Sequence, residues 1–146
     1  MFECLKKYIV KDDNADRSVR PIFWSIDISE IEAAESELGL IFPDQLRRFF
    51  IEIGYGFFDG SRSFVNRMMD PASIADFHLE RNYYEYSEER DEGLIKEGDI
   101  AFFELDSSTH LTVRPETGAV YYCSDKIAES IEEFVSEMKD KADYFL

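Results

Sequence analysis

The stretch from Ile28 to Gly60, ISEIEAAESELGLIFPDQLRRFFIEIGYGFFDG, constrains the chain more than any other. It predicts two short helices, each with its own start and stop signals. Ser29 and Glu32 have the spacing of a capping box, in which the hydroxyl accepts from a backbone N–H three residues on and the glutamate reaches back. Ile31, Ala34 and Leu38 then share one helical face. Gly39 supplies the positive φ that ends the helix without a Cβ clash. After Leu40–Phe42, Pro43 suits the first turn of a second helix, where a missing N–H costs nothing. Leu46, Phe49, Phe50 and Ile53 follow as a full apolar stripe. Gly54, Gly56 and Gly60 punctuate a predicted loop carrying Tyr55, Phe57 and Phe58, and at least one of Gly54 and Gly56 is expected at φ > 0.

The order of these parts resembles the signature of the SUKH superfamily, which takes in the yeast Smi/Knr cell-wall regulators and many bacterial immunity proteins. That pattern runs roughly E-x-x-L-G-x-x-L-P-x-x-(Y/L)-(K/R)-x-F-(L/F)-x-x-x-G-G. The matching residues are Glu35, Leu38, Gly39, Phe42, Pro43, Leu46, Arg47, Phe49, Phe50, Gly54 and Gly56. The usual Asn-Gly-Gly turn stands here as Ile53-Gly54-Tyr55-Gly56. Two later runs extend the resemblance to about 28–138: Arg67-Met68-Met69-Asp70-Pro71-Ala72-Ser73-Ile74, and Ala128–Phe134, which is similar to the start of the last SUKH helix.

A chain of 146 residues with 45% hydrophobic and 15% aromatic residues is expected to form a single domain, 1–146, around one core. Its formal charge of −16 repels phosphate backbones, which argues against direct nucleic-acid binding, and suits a basic partner. Charge of this size also serves solubility. Cys4 and Cys123 form no CxxC pair, and two thiols without histidine help make no zinc site, so unpaired thiols in a reducing compartment are expected. No apolar run approaches a membrane span, and Met1–Val10 carries Glu3, Lys6 and Lys7 where a signal peptide would be apolar. A cytoplasmic location follows as the expectation.

Along the chain, Phe2, Leu5, Ile9 and Val10 suggest a short amphipathic helix over 1–10, and 11–20 reads as a loop. Pro21–Trp24 reads as an edge strand or an arm, with Trp24 a packing anchor. Ser63–Met69 reads as a strand. Asp70-Pro71 starts a third helix over 71–81, with Ile74, Phe77 and His78 inward. Asn82–Gly98 is either a further helix or a long functional loop. Asp99–Leu105, Thr109–Arg114 and Gly118–Cys123 read as an antiparallel meander. Ser130 and Glu133 form another capping box, followed by Ile131, Phe134, Val135, Met138, Ala142 and Phe145 on one face of a closing helix. Helices followed by strands, without βαβ alternation, give an α+β domain: an antiparallel sheet with helices clustered on one side. Leu46, Phe49, Phe50, Ile53, Phe134 and Met138 are expected to be buried together.

Catalytic motifs are missing. There is no His-x-x-x-His or Cys/His cluster, no Walker loop, no G-x-S-x-G and no G-x-G-x-x-G. Neither a metal, a cofactor nor an enzymatic activity is expected. What the resemblance implies instead is an immunity protein that binds and neutralises a cognate bacterial toxin, with a basic nuclease as the expected target. The alternative it leaves open is a regulatory scaffold or a small-ligand or peptide module of the Smi/Knr type, with a pocket between the Gly54–Gly60 loop and the sheet. The candidate partner surface is Tyr83, Tyr84, Glu85, Tyr86, Glu88, Glu89, Asp91 and Glu92. Ten residues there hold three tyrosines and five carboxylates against one arginine. Tyrosine anchors interfaces at little entropic cost, and carboxylates steer a basic partner. The acidic first helix, with Glu30, Glu32, Glu35 and Glu37, is the second candidate.

Overall fold

Seven strands form one antiparallel sheet in plain sequence order: β1 (Ile22–Trp24), β2 (Tyr55–Phe57), β3 (Arg67–Met68), β4 (Ile100–Asp106), β5 (Thr109–Val113), β6 (Val120–Tyr122) and β7 (Asp125–Ala128). The computed structural model describes residues 1–60 and 64–146. The helices are α1 (Ile28–Leu38), α2 (Asp44–Glu52), α3 (Pro71–His78), α4 (Glu88–Asp91) and α5 (Ile131–Asp140), with 3-10 turns at Glu3–Tyr8 and Asn82–Tyr84. The α+β class read from the sequence is the class observed.

Strand register sorts the side chains. Phe23, Gly56, Met68, Phe103, Leu111 and Tyr122 stand opposite one another from β1 to β6 and share one face. Phe57, Arg67, Glu104 and His110 form the neighbouring row, which points to the other face. Helices α2 and α5 close the first face: the Phe49 ring meets Phe23 at 6.0 Å and the Phe134 ring meets Phe103 at 5.1 Å. A bulge between Ala101 and Phe103 turns Phe102 toward the same helix, 5.6 Å from Phe134. Leu46, Phe49, Phe50, Ile53, Phe134 and Met138 are all buried, as the stripes require. The second face is covered in part, by α3 and the residues that follow it.

Several local expectations are corrected. The box at the start of α1 is Asp27 and Glu30, not Ser29 and Glu32: the Glu30 carboxylate accepts from the Asp27 N–H at 3.0 Å. The sequence meets the same three-residue spacing twice, and Asp27 is the one with extended backbone at the helix entrance. Pro43 is the residue before α2, with Asp44 its first helical residue. The N-terminal segment is a 3-10 turn because Phe2 and Leu5, three apart, are both buried, while Val10 leaves to donate to the Phe23 carbonyl at 2.8 Å. Strand 63–69 narrows to Arg67–Met68, and Ser63 lies outside the described residues. Helix α3 ends at His78, before Glu80 and Asn82 take positive φ. A further strand, β7, joins the meander by a tight hairpin. Helix α5 ends at Asp140, so Ala142 and Phe145 lie beyond it; Phe145 packs on Tyr122 at 5.7 Å.

Within the loop expected from Gly54 to Gly60, Tyr55–Phe57 is strand β2. Gly54 and Gly56 have φ of 118° and 154°, as expected of at least one of them. Their deeper reason is proximity: a Cβ at Gly54 would overlap the Trp24 carbonyl, and one at Gly56 the Ile22 carbonyl. The pair lets β1 run against β2 at this point.

Two substitutions test this construction by chemical denaturation. Phe49→Ala deletes a fully buried ring and is expected to cost about 3–5 kcal/mol. Gly56→Ala is expected to destabilise far more than Gly39→Ala. Both are at positive φ, a penalty of about 1–2 kcal/mol, but only Gly56 meets backbone, whereas nothing stands within 4 Å of a Cβ at Gly39. Equal losses at the two glycines would contradict the close-approach account.

Candidate functional site

The acid- and tyrosine-rich segment after α3 is neither a long helix nor a free loop. It is a 3-10 turn, Asn82–Tyr84, a bend, and the single turn α4. Ser87 caps α4, its hydroxyl accepting from the Arg90 N–H at 3.2 Å. Arg90 then faces inward and ties the segment to itself. It donates to the carbonyls of Phe77 at 2.8 Å, Tyr84 at 3.2 Å and Glu85 at 3.2 Å, and to the Glu80 carboxylate at 3.0 Å. One guanidinium thus gathers four acceptors that would otherwise splay apart.

A second tie fastens the segment to the sheet. Glu89 turns inward and is 6% exposed. Its carboxylate accepts from the His110 backbone N–H at 2.7 Å and lies 2.8 Å from His110 Nδ1. His110 Nε2 lies 3.2 Å from Glu104 Oε2, which also accepts from the Tyr84 hydroxyl at 2.9 Å. With a carboxylate at each ring nitrogen, His110 satisfies both only as the imidazolium, donating twice. Burial pulls the His110 pKa down, but the hydrogen bonds to Glu104 and Glu89 outweigh it and hold it above its ordinary value. Burial likewise pushes Glu104 up, and the bonds from His110 and Tyr84 bring it below the usual carboxylate range. Burial beside the Glu104 charge raises Tyr84. The Phe77 ring lies tilted over that of His110 at 4.6 Å, and His110 is buried.

These ties divide the candidate residues. Tyr84 and Glu89 are buried and engaged in internal hydrogen bonds, so they leave the candidate surface and become its fastenings. Tyr83 and Tyr86 are 71% and 85% exposed, and Glu85, Glu88, Asp91 and Glu92 are exposed with them. On α1, Glu30, Glu32 and Glu37 are exposed, whereas Glu35 is not. The Glu35 carboxylate accepts from the Phe42 N–H at 2.9 Å and from Arg47 Nε at 3.1 Å, holding the turn between α1 and α2. Glu37 is ion-paired with Arg81.

The remaining motif residues are likewise structural. Gly39 ends α1 in the left-handed region, Leu38 packs against the core, and Pro43 precedes α2. The Ser130 hydroxyl accepts from the Glu133 N–H at 3.1 Å to cap α5, and Phe134 fills the core below Phe103. Among the described residues, no group of three or more His, Cys, Asp or Glu is placed to hold a metal ion. No described helix is long and apolar enough to cross a membrane.

Two of the fastening residues, Arg90 and His110, were not among the candidates from sequence. Arg90 was visible only as one cation among carboxylates, and His110 only as a histidine at a strand start. The second face also carries a cluster that sequence reasoning did not assemble. Trp24 stacks on Tyr55 at 5.6 Å and meets Phe57 edge-on at 6.3 Å, and all three rings are partly exposed. Arg17 lies 5.7 Å over the Trp24 ring and Arg20 4.6 Å over Phe57.

The two histidines should titrate in opposite directions. His78 Nε2 accepts from the Ala101 N–H at 3.0 Å, so it must stay unprotonated. Burial, helped by the charges of Arg90 and His110, lowers its pKa to about 4. Between pH 6.5 and 4 the unfolded chain therefore binds the proton more readily, and stability falls with falling pH, by up to about 3 kcal/mol. His110 has the opposite sign: its contribution is full below the unfolded value and fades as pH rises through its raised folded value. NMR titration of the two imidazoles checks this directly. His78→Gln is expected to flatten the acid limb of a stability profile, and a His78 titrating near 6.5 would contradict the assignment.

The family described as SMI1-KNR4 cell-wall (SUKH_6) matches residues 28–140. The chain is also similar to "Immunity protein YxxD" of Bacillus subtilis (strain 168), at 34% identity over 128 residues, covering 85% of this chain and 87% of that protein. No solved structure matches. The family match spans α1, α2, Gly54 and Gly56, the whole meander and α5. With its capped helices, its Glu35-held turn and its paired glycines all in place, the chain belongs to the SUKH (SMI1-KNR4) family.

Proposed function

We propose that this protein is an immunity protein: it binds a cognate toxin domain in the cytoplasm and blocks it by occupying its surface, without catalysis. The observation that carries the reading is the mounting of the segment 82–92. Arg90 and Glu89 fix its backbone from inside, so that Tyr83, Tyr86, Glu85, Glu88, Asp91 and Glu92 face out from a held frame. Pre-ordering of this kind lowers the entropy lost on binding. The name of the Bacillus subtilis relative supports the same reading. A toxin that cleaves nucleic acid presents a basic cleft to phosphate, and a chain of charge −16 with outward carboxylates complements such a cleft.

The test is co-expression with the product of the adjacent gene as the candidate toxin, followed by measurement of survival and of complex formation. Survival and a stable complex are expected; a toxin that still kills and does not bind would sink the reading. Glu88→Gln, Asp91→Asn and Glu92→Gln together, with Glu89 left intact, are expected to slow association about tenfold at low ionic strength and to flatten its salt dependence. An unchanged rate and salt slope would move the steering surface to Glu30, Glu32 and Glu37 on α1.

A further inference from the structure

The cluster of Trp24, Tyr55 and Phe57 lies on the same sheet face as the fastened segment. Phe57 stands directly across from Arg67, Arg67 from Glu104, and Glu104 from His110. Arg67 Nη1 donates to Glu104 Oε1 at 3.3 Å, and the other oxygen of Glu104 holds Tyr84. The Tyr83 ring is 5.1 Å from that of Tyr84. Neighbouring strands are about 4.8 Å apart, so the aromatic cluster begins roughly two strand spacings from the tyrosine segment. The two surfaces are parts of one face.

Their chemistry is opposite in sign. Arg17 and Arg20 have no carboxylate within ion-pair reach among the described residues, in a chain with 32 acidic side chains. Arg20 is nevertheless held in place, Nη1 donating to the carbonyls of Arg17 at 2.6 Å and Val19 at 3.0 Å while its guanidinium rests on Phe57. A pre-positioned guanidinium over an aromatic ring, with no internal acid, is a ready donor to an external carboxylate. Trp, Tyr and Arg are also the residue types that dominate binding energy at interface centres.

We infer that Trp24, Tyr55 and Phe57 with Arg17 and Arg20 form the anchoring half of the toxin-binding surface, taking an apolar segment of the toxin that carries a carboxylate. The inference rests on the immunity reading. It adds a division of labour: the outward carboxylates of 85–92 set the rate of encounter with a basic surface, and the arginine–aromatic patch sets residence time. Opposite signs side by side also fix the register in which a toxin can seat, because a shifted partner would place like charges together.

The experiment measures association and dissociation rates of the adjacent gene's product, the candidate toxin, with three forms of the protein. These are the parent, Trp24→Ala, and the double variant Arg17→Ala/Arg20→Ala, whose changes lie outside every strand and helix and guard against a Trp24 variant that fails to fold. Dissociation is expected to speed about 30-fold or more for Trp24→Ala and about tenfold for the double variant, with association rate and salt slope near the parent's. Parent-like dissociation in the folded double variant would overturn the inference while leaving the immunity reading intact. A parent protein that does not bind the toxin would overturn both. Concentration-dependent dimerisation of the parent that the double variant abolishes would assign the patch to a second copy and equally overturn it.

Discussion

His110, held between Glu89 and Glu104, is the interaction on which the arrangement of the second face depends. Its backbone belongs to β5, its ring lies under Phe77 at the end of α3, and its two nitrogens meet carboxylates from β4 and α4. Four elements, the paired strands β4 and β5 together with α3 and α4, meet at one imidazolium. Buried charge of this kind is a poor source of net stability, since desolvation offsets most of the attraction. What it supplies is position. An apolar replacement of similar volume would pack, but it would accept any rotation of the single turn α4, whereas paired donors and acceptors admit one.

The same logic explains why the family motif contributes little to the candidate surface. Glu35 in an exposed, acidic helix invites a binding role, yet it is buried and spends its two oxygens on the Phe42 N–H and Arg47. Gly54 and Gly56 suggest a flexible ligand loop, yet they exist so that β1 can lie against β2. Ser130 and Gly39 begin and end helices. Each motif residue solves a local problem of the backbone, and each solution is independent of what the protein binds. In the proposed reading, partner choice resides in residues that the motif leaves free.

This division also accounts for what could be read from the chain. The stripes Leu46–Phe49–Phe50–Ile53 and Ile131–Phe134–Val135–Met138 were legible because burial repeats at helical spacing. Asp70-Pro71 and Ser130 were legible because a cap is a local hydrogen bond. Strand β2 was not, since glycines that admit a neighbouring backbone and glycines that loosen a loop look alike until the neighbour, Trp24, is in place. Nor could five carboxylates within ten residues reveal that Glu89 alone turns inward. That choice is made by His110, 21 positions further on, and no local pattern carries it.

The charge of −16 by itself distinguishes nothing about where a partner docks, because in salt near 0.1 M its field decays over about 10 Å. A local surface is chosen only if some charges are nearer to the partner and better fixed than the rest. Exposed glutamates on a helix such as α1 keep their rotamer freedom and forfeit it on binding. The carboxylates of the fastened segment keep that side-chain freedom too, on a backbone held by Arg90 and Glu89. Beside them, Arg20 is fixed by two carbonyls and a ring, with still less freedom to give up. The second sheet face therefore combines both signs of charge with groups held by internal hydrogen bonds, and this physical ground, rather than acidity alone, singles it out as the docking face in the proposed reading.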